Sequence, residues 1–265
     1  MDGPEERVLA AFGVSEPAVR LVGGQGETWR SGGVVLKRAD SESAWRAEVL
    51  SELPESNEFR VPRPVRAAGG EWVAFGWEAS ELLVGATDVR RQDDVLVAAA
   101  AFHEAVAQLP RPHFLDARHD PWADGDRVAW REQSYAGTPP YDELAGPLVD
   151  AWRPVDLPAQ VVHGDLPGNV MFADGLPPAI IDWPVYWRPP AWAAAVAVAD
   201  ALCWYGAEPA LAARWAHLPE WGQMLIRALL YRMTTDDLAG GAATWTEARR
   251  AGYRPVIELA LSYSG

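Results

Sequence analysis

The sequence predicts an α+β fold in which a small antiparallel β lobe precedes a larger, mainly helical lobe. Two observations carry this prediction. Short runs of strand-forming residues, separated by glycines, fill about the first eighty positions, and beyond Gly85 the apolar residues follow the period of helices. With 265 residues and 49% apolar side chains, the chain can bury a sizeable core. We place the lobes at 1–82 and 83–265.

The first lobe is predicted to contain antiparallel strands joined by glycine turns, and one helix. The helix is capped by Asp40 or Ser41 and stopped by Pro54, with Trp45 and Val49 on its apolar face together with Leu53. The strand candidates are 18–22, 28–31, 34–38, 65–68 and 72–77.

The second lobe is predicted to be helical around a short β island. Its first helix, 88–109, carries an apolar stripe through Val95, Phe102 and Val106, and Pro110 closes it. Asp174 and Gly175 form a turn between two strands of the island. The weaker helix candidates are 121–130 and 141–152, the strands of the island are 160–162, 170–172 and 179–181, and three or four helices follow 191, the longest over 218–238.

Composition and charge exclude several classes of function. The formal net charge is -14 and the pI is near 4.8, so a surface that neutralises nucleic acid or an anionic membrane is not expected. One cysteine, Cys203, excludes an internal disulfide framework. No apolar run approaches the roughly 18 residues of a membrane span, and the acidic N-terminal segment does not look like a signal peptide. We therefore expect a cytoplasmic protein.

The β island holds the most specific pattern in the chain. It reads VVHGDLPGNVMF over 161–172 and IIDW over 180–183. Asp165 in a loop, Asn169 four residues later and Asp182 after the next strands suit phosphoryl transfer. The first acid can orient a hydroxyl nucleophile, and the amide and the second acid offer oxygen ligands to Mg²⁺. Each residue alone could be an ordinary turn residue, so the prediction depends on the joint pattern.

With these residues the chain resembles the aminoglycoside phosphotransferase and choline kinase superfamily, and the whole pattern is similar to its actinobacterial members. The resemblance implies a bilobal protein-kinase-like fold and a kinase that uses ATP and Mg²⁺. It implies that Asp165 is the catalytic aspartate, that Asn169 and Asp182 bind the metal, and that His163 supports the loop. The family pattern is HGDxxxxN, so the loop here is one residue shorter.

The first lobe supplies the nucleotide-binding candidates. Gly23, Gly24 and Gly26 lie between two strand candidates, where backbone N–H groups could approach phosphates, although an ordinary tight turn explains them equally well. Lys37 is the only lysine among 23 basic residues, and the run VVLK over 34–37 resembles the strand of the kinase fold whose lysine contacts the α- and β-phosphates. The resemblance implies an acid on the following helix that holds this lysine, and Glu48 is the candidate, although most helical glutamates are merely solvated.

The phosphate acceptor is predicted to be a small hydroxylated molecule. HGD and IDW stand where protein kinases have HRD and DFG, APE is absent, and only the 83 positions 183–265 follow Asp182. The acidic balance suits an amino sugar, aminoglycoside or amino alcohol. Trp183, Tyr186, Trp187 and Trp192 could line the acceptor site or pack in the core.

The alternative is a catalytically weak kinase-fold module that binds nucleotide or regulates a partner, motivated by the shortened loop. Walker A, HExxH and GxSxG patterns are absent, which removes P-loop, zinc-protease and common hydrolase interpretations. The sequence does not indicate an oligomeric state.

Overall fold

The computed structural model describes residues 3–21 and 28–264, which form two compact units. The first unit comprises Met1–Thr87 and Val170–Trp183, and the second comprises Asp88–Asn169 and Pro184–Gly265. The α+β class is confirmed, with an antiparallel sheet region and a mainly helical region. The lobe boundary at 82/83 stays a prediction.

The described elements are short strands and helices of up to 20 residues. The helices are α1 (Glu6–Ala11), α2 (Ser43–Glu52), α3 (Gln92–Ala105), α4 (Pro121–Ala129), α5 (Pro139–Ala151), α6 (Pro190–Trp204), α7 (Ala210–Arg214), α8 (Trp221–Gly240) and α9 (Glu247–Ser262). The strands are β1 (Val19–Arg20), β2 (Trp29–Ser31), β3 (Val34–Arg38), β4 (Val73–Ala74), β5 (Trp77–Glu81), β6 (Ala86–Thr87), β7 (Gln160–His163), β8 (Val170–Ala173), β9 (Leu176–Ile180) and β10 (Val185–Arg188). None of these helices is long and apolar enough to cross a membrane.

The first unit contains an antiparallel sheet in the order β1-β2-β3-β5-β4. The strand predicted over 72–77 is wrong, because Phe75 and Gly76 both have positive φ and turn the chain between β4 and β5. The strand predicted over 65–68 is also absent, although Val65 donates a backbone hydrogen bond to Ala79. The core under this sheet consists of Val8, Phe12, Leu36, Ala67, Trp77 and Ala79.

Helix α2 follows β3, but its buried face differs from the predicted one. Ser43, Ala47 and Leu50 are its buried residues. Of the stripe expected through Trp45, Val49 and Leu53, only Leu53, just after the helix, is buried, and the other two are half-buried. The helix is therefore rotated relative to the prediction, and this rotation decides which of its charged side chains point inward.

The hairpin β8–β9 belongs to the first unit, where β6 extends it to a three-stranded antiparallel sheet. Arg60 fixes this hairpin, since its backbone N–H donates to Pro178 and its side chain donates to the carbonyls of Pro177 and Val84. Asp182 lies two residues after β9 and so follows directly from a hairpin that these hydrogen bonds fix.

The second unit is organised around α8, which packs against α4, α6 and α9. Fifteen of its 20 residues are buried, among them the polar Gln223, Arg227 and Asp237, so the helix lies in the core on nearly all sides and brings polar groups into it. The helices predicted over 88–109, 121–130, 141–152 and 218–238 are all present. Strand β10, which the sequence analysis missed, pairs antiparallel with β7 and places His163 opposite Val185.

A ladder of alternating arginine and tryptophan side chains holds α8 in place. The guanidinium of Arg227 on α8 lies 4.8 Å from the ring centre of Trp130 and 4.4 Å from that of Trp152. Arg188 stacks on Trp130 and Arg131 stacks on Trp152, so cations and rings alternate. Burial lowers the pKa of Arg227 to about 10, which leaves it charged at neutral pH.

Candidate active site

The loop predicted to be catalytic begins at the end of β7 and is fixed by two buried histidines. The backbone N–H of His163 donates to Nε2 of His103 on α3 at 2.9 Å, and Nδ1 of His163 accepts from the backbone N–H of Asp165 at 3.1 Å. Burial, together with the charge of His163, lowers the pKa of His103 to about 3, so this ring is neutral and can accept. His163 therefore supports the loop, as the resemblance implied, and His103 supports His163.

Two neighbours hold the carboxylate of Asp165. Nδ2 of Asn169 donates to Oδ2 of Asp165 at 3.1 Å and to its carbonyl oxygen at 2.7 Å. Nη2 of Arg232 donates to Oδ1 at 2.6 Å. The side chain of Asp165 is nevertheless 46% exposed. The carboxylate is thus fixed in direction, and each of its oxygens keeps a lone pair for a further donor.

Arg232 was not found by sequence analysis. It projects from α8, is 14% exposed, and pairs with both oxygens of Asp200 on α6 as well as with Asp165. Burial lowers the pKa of Arg232, but the charges of Asp200 and Asp165 outweigh burial and raise it, so this arginine stays charged. The one available signal was Asp200, a lone acid on an otherwise apolar helix.

Glycines allow the short loop to close. Gly168 has φ +82°, and a Cβ there would meet no atom within 4 Å, so the position needs glycine for its backbone conformation alone. Gly164 has the opposite requirement, because a Cβ at this position would overlap the buried ring of Tyr186. The turn is completed by a backbone hydrogen bond from Asn169 to Leu166 at 3.0 Å. The loop with one residue fewer therefore brings Asn169 back onto Asp165.

In the first unit, Lys37 on β3 forms an ion pair with Asp182. Asp182 follows β9 and has φ +50°, a left-handed conformation that non-glycine residues rarely adopt and that is often found at functional sites. Burial lowers the pKa of Lys37 to about 8, the charge of Glu78 raises it, and the charge of Arg46 lowers it further. The structure thus brings Lys37 and Asp182 together, as it brings Asp165 and Asn169 together.

The structure does not bring Glu48 to Lys37. Glu48 is 52% exposed and accepts hydrogen bonds from Nε1 of Trp72 and from Arg66. Its place on the outer face of α2 follows from the rotation of that helix. The prediction that Glu48 holds the lysine is therefore corrected.

The three glycines expected to approach the phosphates, Gly23, Gly24 and Gly26, lie outside the described residues. On either side of them, β1 and β2 pair antiparallel, and the backbone N–H of Leu21 donates to Thr28.

Most of the aromatic residues near Asp182 pack in cores. Trp183 is 3% exposed and its ring lies 5.6 Å from that of Trp45. Tyr186 and Trp192 are equally buried and form a cluster with Tyr231, with ring centres 5.4 to 5.8 Å apart. These rings support the packing interpretation and leave little surface for an acceptor.

The carboxylate of Asp182 in the first unit and the amide oxygen of Asn169 in the second are each a donor of the type that Mg²⁺ prefers. Mg²⁺ prefers carboxylate and amide oxygens and usually takes one or two protein ligands together with phosphates and waters. Among the described residues, no group of three or more His, Cys, Asp or Glu side chains could form an all-protein metal cage. Within that same part of the chain, Oδ1 of Asn169 takes part in no hydrogen bond, so it keeps its capacity as a ligand.

The chain was compared with known protein families, curated sequences and solved structures. A profile of the Phosphotransferase enzyme family matches residues 9–226. A search of curated protein sequences gave no match. An aminoglycoside phosphotransferase from Alicyclobacillus acidocaldarius is 14% identical, with a TM-score of 0.62 over 100% of this chain and 96% of its own.

Two further solved structures carry ligand or substrate names. A thermostable mutant of aminoglycoside phosphotransferase APH(4)-Ia, in a ternary complex with ADP and hygromycin B, is 15% identical with a TM-score of 0.62, covering 96% of this chain and 98% of its own. Choline kinase LicA from Streptococcus pneumoniae is 10% identical with a TM-score of 0.55, covering 97% of each chain. At these identities the likeness shows a shared kinase-like fold, and the family match extends over most of the sequence.

The family profile thus spans the strand with Lys37, the loop with Asp165 and the position of Asp182. The chain belongs to the Phosphotransferase enzyme family and is a small-molecule kinase with a kinase-like α+β fold.

Proposed function

We propose that this kinase transfers the γ-phosphoryl group of ATP, in the presence of Mg²⁺, to a hydroxyl group of an amino sugar, aminoglycoside or amino alcohol. The observation that carries the proposal is the carboxylate of Asp165. Arg232 and Asn169 fix its direction, and nearly half of the side chain still faces solvent. A fixed, accessible carboxylate is what the acceptor hydroxyl needs as a hydrogen-bond partner.

In the proposed reaction, Asp165 accepts a hydrogen bond from the acceptor hydroxyl and orients its oxygen toward the γ-phosphorus. A bond forms between this oxygen and phosphorus, the bond to the bridging oxygen of ADP breaks, and Asp165 takes up the hydroxyl proton. Lys37 binds the α- and β-phosphates, and Gly23, Gly24 and Gly26 offer backbone N–H groups to them. Catalysis then consists of positioning and charge neutralisation.

Asp182 and Asn169 would hold the metal through their side-chain oxygens. A magnesium ion held by these residues would supply positive charge against the charge that develops on the phosphates. Asp182 also needs this compensation for its own sake, since in the first unit four carboxylates share two cations: Lys37 pairs with Asp182, and Arg46 pairs with the other three. These groups are Asp40, Glu42, Glu78, Asp182, Lys37 and Arg46.

A cationic acceptor is supported by the surroundings of Asp165. Tyr205, at the end of α6, is 38% exposed, and its pKa is raised by burial and by the charges of Asp200 and Asp165. An exposed aromatic ring close to carboxylates favours an ammonium group through cation–π attraction. The related structures named above include one with hygromycin B and one of a choline kinase. The net charge of -14 acts in the same direction by attracting cations.

The first test is thermal unfolding with ATP, with Mg²⁺ present and withheld. A ligand at about 100 times its dissociation constant stabilises a protein by about 2.7 kcal/mol, which raises the midpoint by about 5 °C or more. We expect the larger shift when Mg²⁺ is present. The absence of a shift with any nucleotide would contradict the proposal.

The second test is ADP release with pairs of acceptors that differ in charge, such as glucosamine with glucose and ethanolamine with ethylene glycol. We expect turnover with the cationic member of a pair and its loss, by at least about a hundredfold, in Asp165→Asn. Asp174→Asn is the matched control, because Asp174 lies in an exposed turn that asparagine also fits. Equal turnover in Asp165→Asn and its parent would refute the catalytic role of Asp165. The absence of turnover in the parent with every acceptor would favour the alternative of a nucleotide-binding module. Preference for the neutral acceptors would refute the substrate class alone.

A further inference from the structure

We propose that Glu78 on β5, held by Arg46 of α2, is the acid that positions Lys37 for nucleotide binding in this chain. The inference rests on the proposed function, because it takes Lys37 as the group that binds the phosphates of ATP. In this assignment Glu78 on the neighbouring strand β5 takes the role that the sequence analysis gave to Glu48 on helix α2.

The strand register places Glu78 beside Lys37. The two residues lie directly opposite each other in the antiparallel pair β3–β5. Side chains of such a pair project from the same face of the sheet, with Cβ atoms about 4.5 to 5.5 Å apart. The carboxylate of Glu78 also acts on the lysine through its charge, since it opposes the effect of burial on the pKa of Lys37.

Arg46 fixes the position of Glu78. Its Nη2 donates to both carboxylate oxygens of Glu78, at 3.2 and 3.3 Å, and its Nη1 donates to the carbonyl of Trp183 at 3.3 Å. Trp183 directly follows Asp182, the ion-pair partner of Lys37. The guanidinium of Arg46 therefore connects α2 both to Glu78, which lies beside Lys37, and to Trp183, which follows Asp182.

The burial of these groups agrees with a positioning role. The side chain of Arg46 is 14% exposed and that of Glu78 is 21% exposed, whereas Glu48 is 52% exposed. Arg46 and Glu48 are two positions apart on α2, so they project to nearly opposite sides of the helix. The inward side of α2 thus presents Arg46 and not Glu48. The acid beside Lys37 is therefore Glu78, from strand β5.

Loss of Glu78 would disturb Lys37 in two ways. Arg46 would lose one of its three acidic partners and keep only Asp40 and Glu42, so its charge, which already acts against that of Lys37, would be less compensated. Asp182 would then be the acid that dominates the position of Lys37. The ammonium group of Lys37 would then be attracted to Asp182 and repelled by Arg46, and it would be less well placed to bind phosphates.

The test is a calorimetric titration with ADP in the absence of metal, which measures binding independently of turnover. We expect Glu78→Gln to raise the dissociation constant for ADP by about tenfold and Arg46→Gln to do the same. Glu81→Gln is the matched control, because Glu81 is an exposed residue of the same strand, opposite Val34. Glu78→Asp, which keeps the charge, should recover much of the affinity.

Unfolding midpoints of the ligand-free variants accompany each titration and show whether a variant is folded. If Glu78→Gln does not fold, the comparison of Arg46→Lys with Arg46→Gln takes its place, with weaker ADP binding expected in the glutamine variant. Parent affinity in folded Glu78→Gln would overturn the inference, and so would a tenfold loss that arises in Glu48→Gln instead. If the parent itself does not bind ADP, the proposed function fails and this inference with it.

Discussion

The buried histidine behind the catalytic loop predicts a defined loss of stability in mild acid. His103 is 4% exposed, and its Nε2 accepts the backbone N–H of His163, so the ring has to be neutral in the folded protein. Its pKa falls from 6.5 to about 3 in the folded state. Below pH 6.5 the imidazole of His103 binds a proton in the unfolded chain but not in the folded protein. The free energy of unfolding therefore falls as the pH falls from 6.5 toward 3.

The size of the effect follows from the shift. Each unit of pH inside this window is worth about 1.36 kcal/mol, so the histidine costs about 2 kcal/mol of folding free energy at pH 5 relative to pH 7.5. For a protein of this size, that corresponds to a fall of about 4 to 8 °C in the unfolding midpoint. Many carboxylates also titrate between pH 7.5 and pH 5. The contribution of His103 is therefore measured by comparing the parent with a variant that differs at His103 alone.

The assay compares thermal unfolding of the parent and of His103→Gln at pH 7.5 and pH 5.0. Glutamine keeps an acceptor for His163 and does not titrate, so we expect the variant to lose about 2 kcal/mol less than the parent between the two pH values. The comparison uses the difference in unfolding free energy between the two pH values within each protein. A destabilisation that the substitution causes equally at both pH values therefore cancels. An identical pH dependence in both proteins would refute the assignment of a neutral, buried His103.

The remaining predictions concern the positioning of charged groups and the packing of the loop. Arg232→Gln should lower kcat by about tenfold or more while KM for ATP stays near its parent value, because the carboxylate of Asp165 loses a hydrogen bond that orients it. Arg232→Lys should recover little of this, because an ammonium cannot bridge two carboxylates as a guanidinium fork does. An equal rise in KM would argue against this role. Lys37→Arg should impair ATP use in an ADP-release assay, since a planar fork does not replace a compact ammonium; full activity would refute the interpretation of the single lysine. Gly164→Ala should cost about 1 to 3 kcal/mol in urea unfolding, because the added methyl group meets the ring of Tyr186. Gly146→Ala, on an open helix surface, should cost nothing, and equal effects at both sites would contradict the packing argument.

The comparison of sequence and structure is most instructive at α2. A helix that ends before Pro54 was predicted correctly, but its predicted cap was wrong: the N-cap is Glu42, and Asp40 instead accepts a hydrogen bond from the backbone N–H of Glu42. Its predicted orientation was also wrong, because the apolar residues of this short helix support more than one face. The face through Ser43, Ala47 and Leu50 is buried, which turns Arg46 inward and leaves Glu48 at the surface. An assignment based on the residue type of Glu48 alone therefore chose the wrong side of the helix.

The loop of Asp165 shows the opposite case. Its residues lie within seven positions of each other, and short-range geometry decides most of their contacts. The hydrogen bonds from Asn169 to Asp165 and from Asp165 to His163 span four and two positions. Arg232 contacts Asp165 across 67 positions, and sequence analysis had no pattern from which to infer that contact.

By itself, the sequence determined the α+β class, most helices of the second unit and the motif that carries Asp165, Asn169 and Asp182, because periodicity and short spacings are properties of neighbouring residues. The tertiary structure decided the partners of those residues. Glu78 faces Lys37 through strand register, and Arg232 reaches Asp165 through the packing of α8. Such contacts depend on how distant elements share a core, and no local pattern encodes which charged side chain each element turns toward the site.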